Sequence, residues 1–183
     1  MAMINLSRRS IFKGLGGLIL GFHLPGCRTV APPLDNTVNL GPRSAEGDES
    51  MLNSWIRVAS NGVVTLKVGA SEMGQGVYTS LPMILAEHLD CDWDKVRVES
   101  APAHADYRRR SSYGSDTQIT GGSESVKGYF DILKQAGSTA RAMLVAAAAD
   151  RLGIKATSLK TEEGFVVHGS TRISYGDLCQ HAS

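Results

Sequence analysis

"VVTLKVGASEMGQGVYTSLPMILAEHLDCDWDKVRVES", residues 63–100, decides how this chain folds. It opens on a valine-rich run, 63–68, and passes through a glycine-flanked loop, 69–76. Leu81, Ile84, Leu85 and Leu89 then recur at helical spacing, and after an acidic turn residues 96–100 return to a β-rich composition. Strand, glycine loop, helix and strand in that order is an α/β pattern. Thr79 or Ser80 is the expected N-cap of the helix, and Pro82 is expected near its first turn, where a missing N–H costs little.

The flanks extend the pattern. Residues 55–59 and 63–68 are two β-rich runs split at Asn61-Gly62, a strong hairpin signal because both residues tolerate positive φ. Residues 103–125, "AHADYRRRSSYGSDTQITGGSES", lack apolar periodicity and are long for a connection inside a compact domain. Beyond them Val126, Phe130, Leu133, Ala140, Leu144 and Ala147 trace a helical stripe that ends at Gly153, with Gly137 a point where the helix could divide. "LKTEEGFVVHG" and "TRISYGDL" supply a final hairpin and the beginning of a helix. The expected fold class is α/β (α+β): a small mixed sheet with two main helices and both glycine loops on one edge.

The 183 residues hold enough sequence for one hydrophobic core. With 19 Lys+Arg against 18 Asp+Glu, the formal charge of +1 gives no electrostatic footprint for nucleic acid. Cys27, Cys91 and Cys179 lie far apart without metal-ligand or disulfide spacing, so Cys91 and Cys179 read as buried or incidental thiols.

"LSRRSIFKGLGGLILGFHLPGC", residues 6–27, combines Arg8-Arg9 with a short apolar, glycine-bearing core, and reads as an export signal. The run is short for a membrane span. Paired arginines after a serine, then an apolar pair and a lysine, resemble the twin-arginine signal, which addresses a protein to the periplasm. The alternative is an ordinary basic leader or a surface helix. Cys27 in "LPGC" has the look of a lipid-anchor site, against cleavage or retention nearby. The expected organisation is a signal over residues 1–30, a Pro- and Gly-rich linker over 31–50, and a domain over 51–183.

The two glycine loops carry the chemistry. Backbone N–H groups at a helix start favour anionic or phosphate-bearing ligands. Gly74 and Gly76 allow close backbone approach, Gln75 offers a carboxamide, and Glu72 adds a carboxylate. Thr120, Gly121, Gly122, Ser123 and Ser125 repeat the logic with hydroxyl donors. Each motif alone says only "polar ligand". His88 and His104 have no second ligand at metal spacing and read as packed or surface residues; Met73 and Met83 read as packing residues; Arg108-Arg109-Arg110 read as a solvated basic loop or a contact for phosphate or an acidic partner; and Lys127 as solvent-exposed.

"SEMGQGVYTSLPMILAEHLDCDWDKVRVESAPA", "QITGGSESVKGYFDILKQAGSTARAMLVAAAADRLG" and the twin-arginine "GFHLP" leader closely resemble the N-terminal part of the isoquinoline 1-oxidoreductase β-subunit type of exported molybdenum hydroxylase, within the xanthine dehydrogenase and aldehyde oxidase superfamily. That resemblance implies a cofactor-binding part of a large subunit that holds molybdenum through molybdopterin cytosine dinucleotide. It implies two partners, an iron–sulfur small subunit with two [2Fe–2S] clusters and the remaining part of the large subunit. The implied substrate is an aromatic N-heterocycle or an aldehyde, oxidised with water-derived oxygen. Cofactor contacts map onto Gly74, Gln75 and Gly76 in one loop, and onto Thr120, Gly121, Gly122, Ser123 and Ser125 in the other. No catalytic residue and no protein metal ligand is expected within this stretch, and the isolated chain is expected to be an inactive, truncated or split product. The rival expectation is a non-catalytic exported or lipid-anchored binding module, or a remnant.

Overall fold

The computed structural model describes residues 48–112 and 114–182. The expected signal, Cys27 and most of the expected linker lie outside the described residues, as does Tyr113. Three strands run antiparallel in sequence: β1 (Glu49–Asn53), β2 (Ile56–Ala59) and β3 (Val64–Val68). The β2–β3 hairpin turns at Asn61-Gly62 as expected, with the Asn61 carboxamide accepting from the Val63 N–H and Gly62 at φ +83°. Helix α1 (Val77–Leu89) then crosses over to β4 (Val96–Ser100), which pairs parallel to β3 and completes a mixed sheet in the order β1-β2-β3-β4. β1 begins two residues before the expected domain start and was not anticipated from the sequence, where its Glu-Ser-Met-Leu-Asn composition carries no β signal.

Register explains which sheet face is buried. Ile56, Leu66 and Val98 stand opposite one another across three strands, as do Val58, Val64 and Val96, and all six are at most 2% exposed. The alternate positions form a charged face: Arg57 pairs with Glu49 at 3.3 Å and with Glu99, and Thr65 stands between Arg57 and Arg97. A two-residue period thus separates core from charge within each strand.

Two short strands, β5 (Arg109–Arg110) and β6 (Asp116–Thr117), pair within the long connection, which is ordered rather than featureless. Helix α2 (Ser125–Leu152) follows, and Gly153 ends it at φ +67° as expected. A three-stranded antiparallel sheet, β7 (Lys160–Glu162), β8 (Phe165–His168) and β9 (Thr171–Ser174), leads into the one-turn helix α3 (Tyr175–Leu178). Asp90, the left-handed C-cap of α1, ties this sheet to the core: its carboxylate accepts from the Thr161 hydroxyl at 2.6 Å and its carbonyl accepts from Gly164 N–H at 2.8 Å.

Several local expectations change in three dimensions. α1 starts at Val77 behind Gly76, not at Thr79 or Ser80, and Pro82 lies inside the helix. Gly137 does not divide α2. It is the point where α2 meets α1: a Cβ there would lie 2.8 Å from the Leu85 carbonyl oxygen and 3.0 Å from Cβ of His88. Tertiary packing overrides the helix-breaking preference because glycine alone permits this approach. The apolar stripe of α2 also divides: Leu133, Ala140 and Leu144 are fully buried, whereas Val126 and Phe130 lie on another face at 43% and 45% exposure. Met73 and Met83 are exposed too, not packing residues. Cys179 is buried, and burial pushes the Cys91 thiol up to about 12.

Gly137→Ala adds a methyl group that a backbone carbonyl cannot avoid. The gain in helix propensity is outweighed by overpacking of about 1–3 kcal/mol, so the thermal unfolding midpoint falls, as far-ultraviolet circular dichroism will show.

Candidate functional site

Tyr129 sets the frame on which both glycine loops sit. Its hydroxyl lies 3.0 Å from the carbonyl oxygen of Gly69, at the end of β3, and 2.7 Å from that of Tyr107, just before β5. Trp55 packs edge-on against Tyr107 and Tyr129 at centroid distances of 4.9 and 5.8 Å. One buried side chain of α2 thereby ties the start of the first loop to the start of the long connection that carries the second.

The first loop, 71–76, is braced from within. Glu72 Oε1 accepts from the N–H groups of Gly74 (2.7 Å) and Gly76 (3.0 Å), and Oε2 accepts from Tyr78 N–H in the first turn of α1 (3.0 Å). These bonds, the one from Tyr78 foremost, hold the Glu72 carboxyl below the usual carboxylate range. Gln75 folds back as well, accepting from Met73 N–H and donating to the Ser71 carbonyl at 2.8 Å. The sequence suggests that this loop offers free N–H groups to an anion; instead the loop's own carboxylate occupies them and neutralises the positive end of α1.

The second loop is open. Gly122 and Ser123 both adopt positive φ, +66° and +55°, and turn the chain into α2. The N–H groups of Gly121, Gly122 and Ser123 and the hydroxyls of Ser123 and Ser125 make no hydrogen bond among the described residues. Thr120 joins the loops, its Oγ1 accepting from Ser71 N–H at 2.7 Å. Between them lies a cleft of about 380 Å³ lined by Met73, Gln75 and Val77 on one side and Thr120, Gly121, Ser123, Ser125 and Val126 on the other. Five of the eight expected cofactor residues reach this lining: Gln75, Thr120, Gly121, Ser123 and Ser125. Gly74, Gly76 and Gly122 shape the backbone behind it.

Sequence reasoning missed Arg109. It is 1% exposed, not a solvated residue, and it pairs with Glu124 at 3.1 Å, while its neighbours Arg108 and Arg110 are exposed. Glu124 accepts from Ser112 N–H, which with the Arg109 guanidinium holds its carboxyl below the ordinary value. Gly128 was the available signal: a Cβ there would lie 2.5 Å from Cδ of Arg109. His104 is exposed and His88 half-buried, and no group of three metal-ligating side chains occurs among the described residues. Larger concavities of about 520 and 590 Å³ lie beside α1 and the end of α2, away from both loops.

A donor-rich wall facing Gln75 and the apolar side chains of Met73 and Val77 suits a flat, polar-edged ring carrying phosphate. The sequence matches the molybdopterin cofactor-binding domain over residues 33–183, and the chain belongs to that family. It is 44% identical over 129 residues to isoquinoline 1-oxidoreductase subunit beta of Brevundimonas diminuta, a stretch covering 69% of this chain and 16% of that protein. It is 31% identical over 177 residues to a membrane-bound aldehyde dehydrogenase (pyrroloquinoline-quinone) of Gluconacetobacter polyoxogenes, covering 95% of this chain and 21% of that one. In fold it is similar to quinoline 2-oxidoreductase from Pseudomonas putida 86 (TM-score 0.50, 20% identity, 68% of this chain and 15% of that chain). The copper- and molybdenum-containing CO dehydrogenase is similar to the same degree (TM-score 0.52, 20% identity, 67% and 15%). The chain therefore spans 16% and 21% of the lengths of these two curated relatives. It is a molybdopterin-binding domain of the kind found in molybdenum hydroxylase-type oxidoreductases.

The Glu72 brace is pH-dependent in a defined direction. Its carboxyl is depressed in the folded state, so its contribution is complete above the ordinary carboxylate value and disappears as pH falls through the depressed one. Protection against amide exchange at Gly74, Gly76 and Tyr78, relative to the unstructured rate at each pH, is expected to fall across that acid window, and Glu72→Gln is expected to remove that step while lowering protection at neutral pH.

Proposed function

We propose that this chain supplies one wall of the cofactor pocket of an exported molybdenum hydroxylase large subunit, acting on N-heterocycles or aldehydes. The observation that carries the reading is the cleft between the two loops, where unsatisfied donors of the Gly121–Ser125 segment face Gln75 and an apolar surface. The names of its relatives, an isoquinoline oxidoreductase, an aldehyde dehydrogenase and a nicotinate dehydrogenase, support the substrate classes. Two of them are named as subunits, which supports an assembly with further subunits; on the family resemblance these are an iron–sulfur small subunit and the remainder of a large subunit.

The residues fit part of the cofactor. About 380 Å³ accommodates one section of a molybdopterin cytosine dinucleotide, not its whole length. The N–H groups of Gly121, Gly122 and Ser123 and the hydroxyls of Ser123 and Ser125 would hold a phosphate or the polar edge of the pterin. Thr120 would keep this loop in register with the first through Ser71. Gln75 would present its carboxamide beside Met73 and Val77, whose side chains would help to exclude water from the cleft. When bound, the cofactor supplies two-electron oxidation of a substrate carbon with oxygen derived from water. The protein's task here is binding and orientation: Glu72 and Glu124, the two carboxylates beside the loops, are committed to backbone amides and held ionised, so neither is assigned as a proton acceptor. On this reading the chain alone has no turnover, and the Arg8-Arg9 leader directs export, with acylation at Cys27 the alternative mode of attachment.

The test is metal and nucleotide analysis of the 183-residue chain made in a host that synthesises molybdopterin cytosine dinucleotide, alone and together with a downstream polypeptide of the large-subunit type. Cofactor retained only with the second polypeptide is the expected result, and Thr120→Val is expected to lower retention about tenfold, the worth of one well-placed hydrogen bond. Absence of molybdenum and cytidine nucleotide from both preparations overturns the reading in favour of a non-catalytic module.

A further inference from the structure

Among the described residues Arg109 is the only charged side chain buried below a tenth of its surface. An uncompensated cation there would be costly, so its partners indicate what its burial accomplishes. Nη2 donates to the carbonyl of Ile119 at 3.3 Å, one residue before the Thr120–Ser123 turn. Nη1 donates to Glu124 Oε2 at 3.1 Å, one residue after it, and lies 3.4 Å from the Arg110 carbonyl. Glu124 in turn accepts from Ser112 N–H at 3.1 and 3.3 Å. The guanidinium packs beside the Tyr129 ring, 5.8 Å from its centroid, and Nε, without a hydrogen-bond partner, lies against Gly128.

One rigid, planar group thus grips both ends of a four-residue turn whose own amides are free. Lysine could not do this, because a point charge lacks the forked geometry that reaches a carbonyl and a carboxylate together. Glycine at 128 leaves the space on α2 that the arginine stem occupies. We propose that Arg109 is a positioning residue: it sets the spacing and direction of the Gly121, Gly122 and Ser123 donors by clamping Ile119 and Glu124. The proposal rests on the cofactor reading of the cleft for its functional meaning, but the clamp itself is testable without any cofactor.

The experiment uses the full 183-residue chain, isotopically labelled, and follows the backbone amide resonances of Gly121, Gly122 and Ser123 through an acid titration, with thermal unfolding recorded in parallel. The charged groups facing Glu124 are Arg109 from β5 and Lys127 from α2. Both favour its ionised form. In the unsubstituted chain the three amides are expected to hold one position from neutral pH to below the ordinary carboxylate range, and then shift together. Glu124→Gln is expected to abolish that step. Gly128→Ala, which favours helix yet displaces the arginine stem, is expected to shift the same three resonances at neutral pH. Gly74 and Gly76, braced by Glu72, are expected to keep their positions and their own titration in both variants.

A shift of the three loop amides in either variant supports the clamp, and if Gly128→Ala fails to fold the Glu124→Gln titration decides alone. Unchanged loop resonances with only a lower unfolding midpoint would reduce Arg109 to a core ion pair and overturn the proposal. Cofactor content of the same variants, co-produced with the second polypeptide, separates the two readings. If the unsubstituted chain binds none, the cofactor reading fails while the clamp result stands.

Discussion

The close approach of α1 and α2 at Gly137 is the constraint from which the site follows. Both helices begin at the cleft, Val77 in one and Ser125 in the other, and they meet eight to twelve residues further on, where Gly137 lies against Leu85 and His88. At 1.5 Å per residue the crossing lies about 12 Å along α1 and about 18 Å along α2. Two long helices held at such a point act as a lever pair: their starts cannot separate without opening a packed interface of Leu81, Leu85, Leu133 and Ala140. The cleft is therefore a property of the core and not of the loops that line it.

Electrostatics then divides the labour between the loops. Two helix starts facing one cleft would place two positive dipole ends together. Glu72 answers the first from inside its own loop, and Arg109 keeps Glu124 from answering the second in the same way, by drawing its carboxylate toward Ser112. What remains unbalanced is the amide cluster before α2. On the proposed reading a bound anion would complete that arrangement, in the manner of anion-binding concavities formed by successive backbone N–H groups.

The path β3–α1–β4 was legible because each element carries its own period and the connection is short, and the β2–β3 hairpin was legible from Asn61-Gly62. The glycine loops were legible as motifs. Their state was not: whether Gly74 and Gly76 have free amides depends on where the Glu72 carboxylate folds, which composition does not encode. Arg109 escaped for a related reason, since its burial depends on Gly128 nineteen positions later and on a ring at Tyr129, and three consecutive arginines read most simply as solvated. Gly137 was read as a weak point because propensity is local and packing is not. Val126 and Phe130 fall into one apolar stripe with Leu133 by a spacing that fits two faces of a long helix equally well.

The partly buried thiol of Cys91 bears on the chemical durability of the fold. Burial first, with the negative charges of Asp92 and Asp90 adding to it, raises the thiol to about 12, which keeps it in the unreactive thiol form at neutral pH. Cys179 sits fully enclosed, its sulfur 3.2 Å from the Gly176 carbonyl. Cys179 is shielded by enclosure, whereas Cys91 borders the cavity beside α1 and is protected by its hold on the proton. The fold thus keeps these two thiols unreactive by different means, one by enclosure and the other by proton affinity.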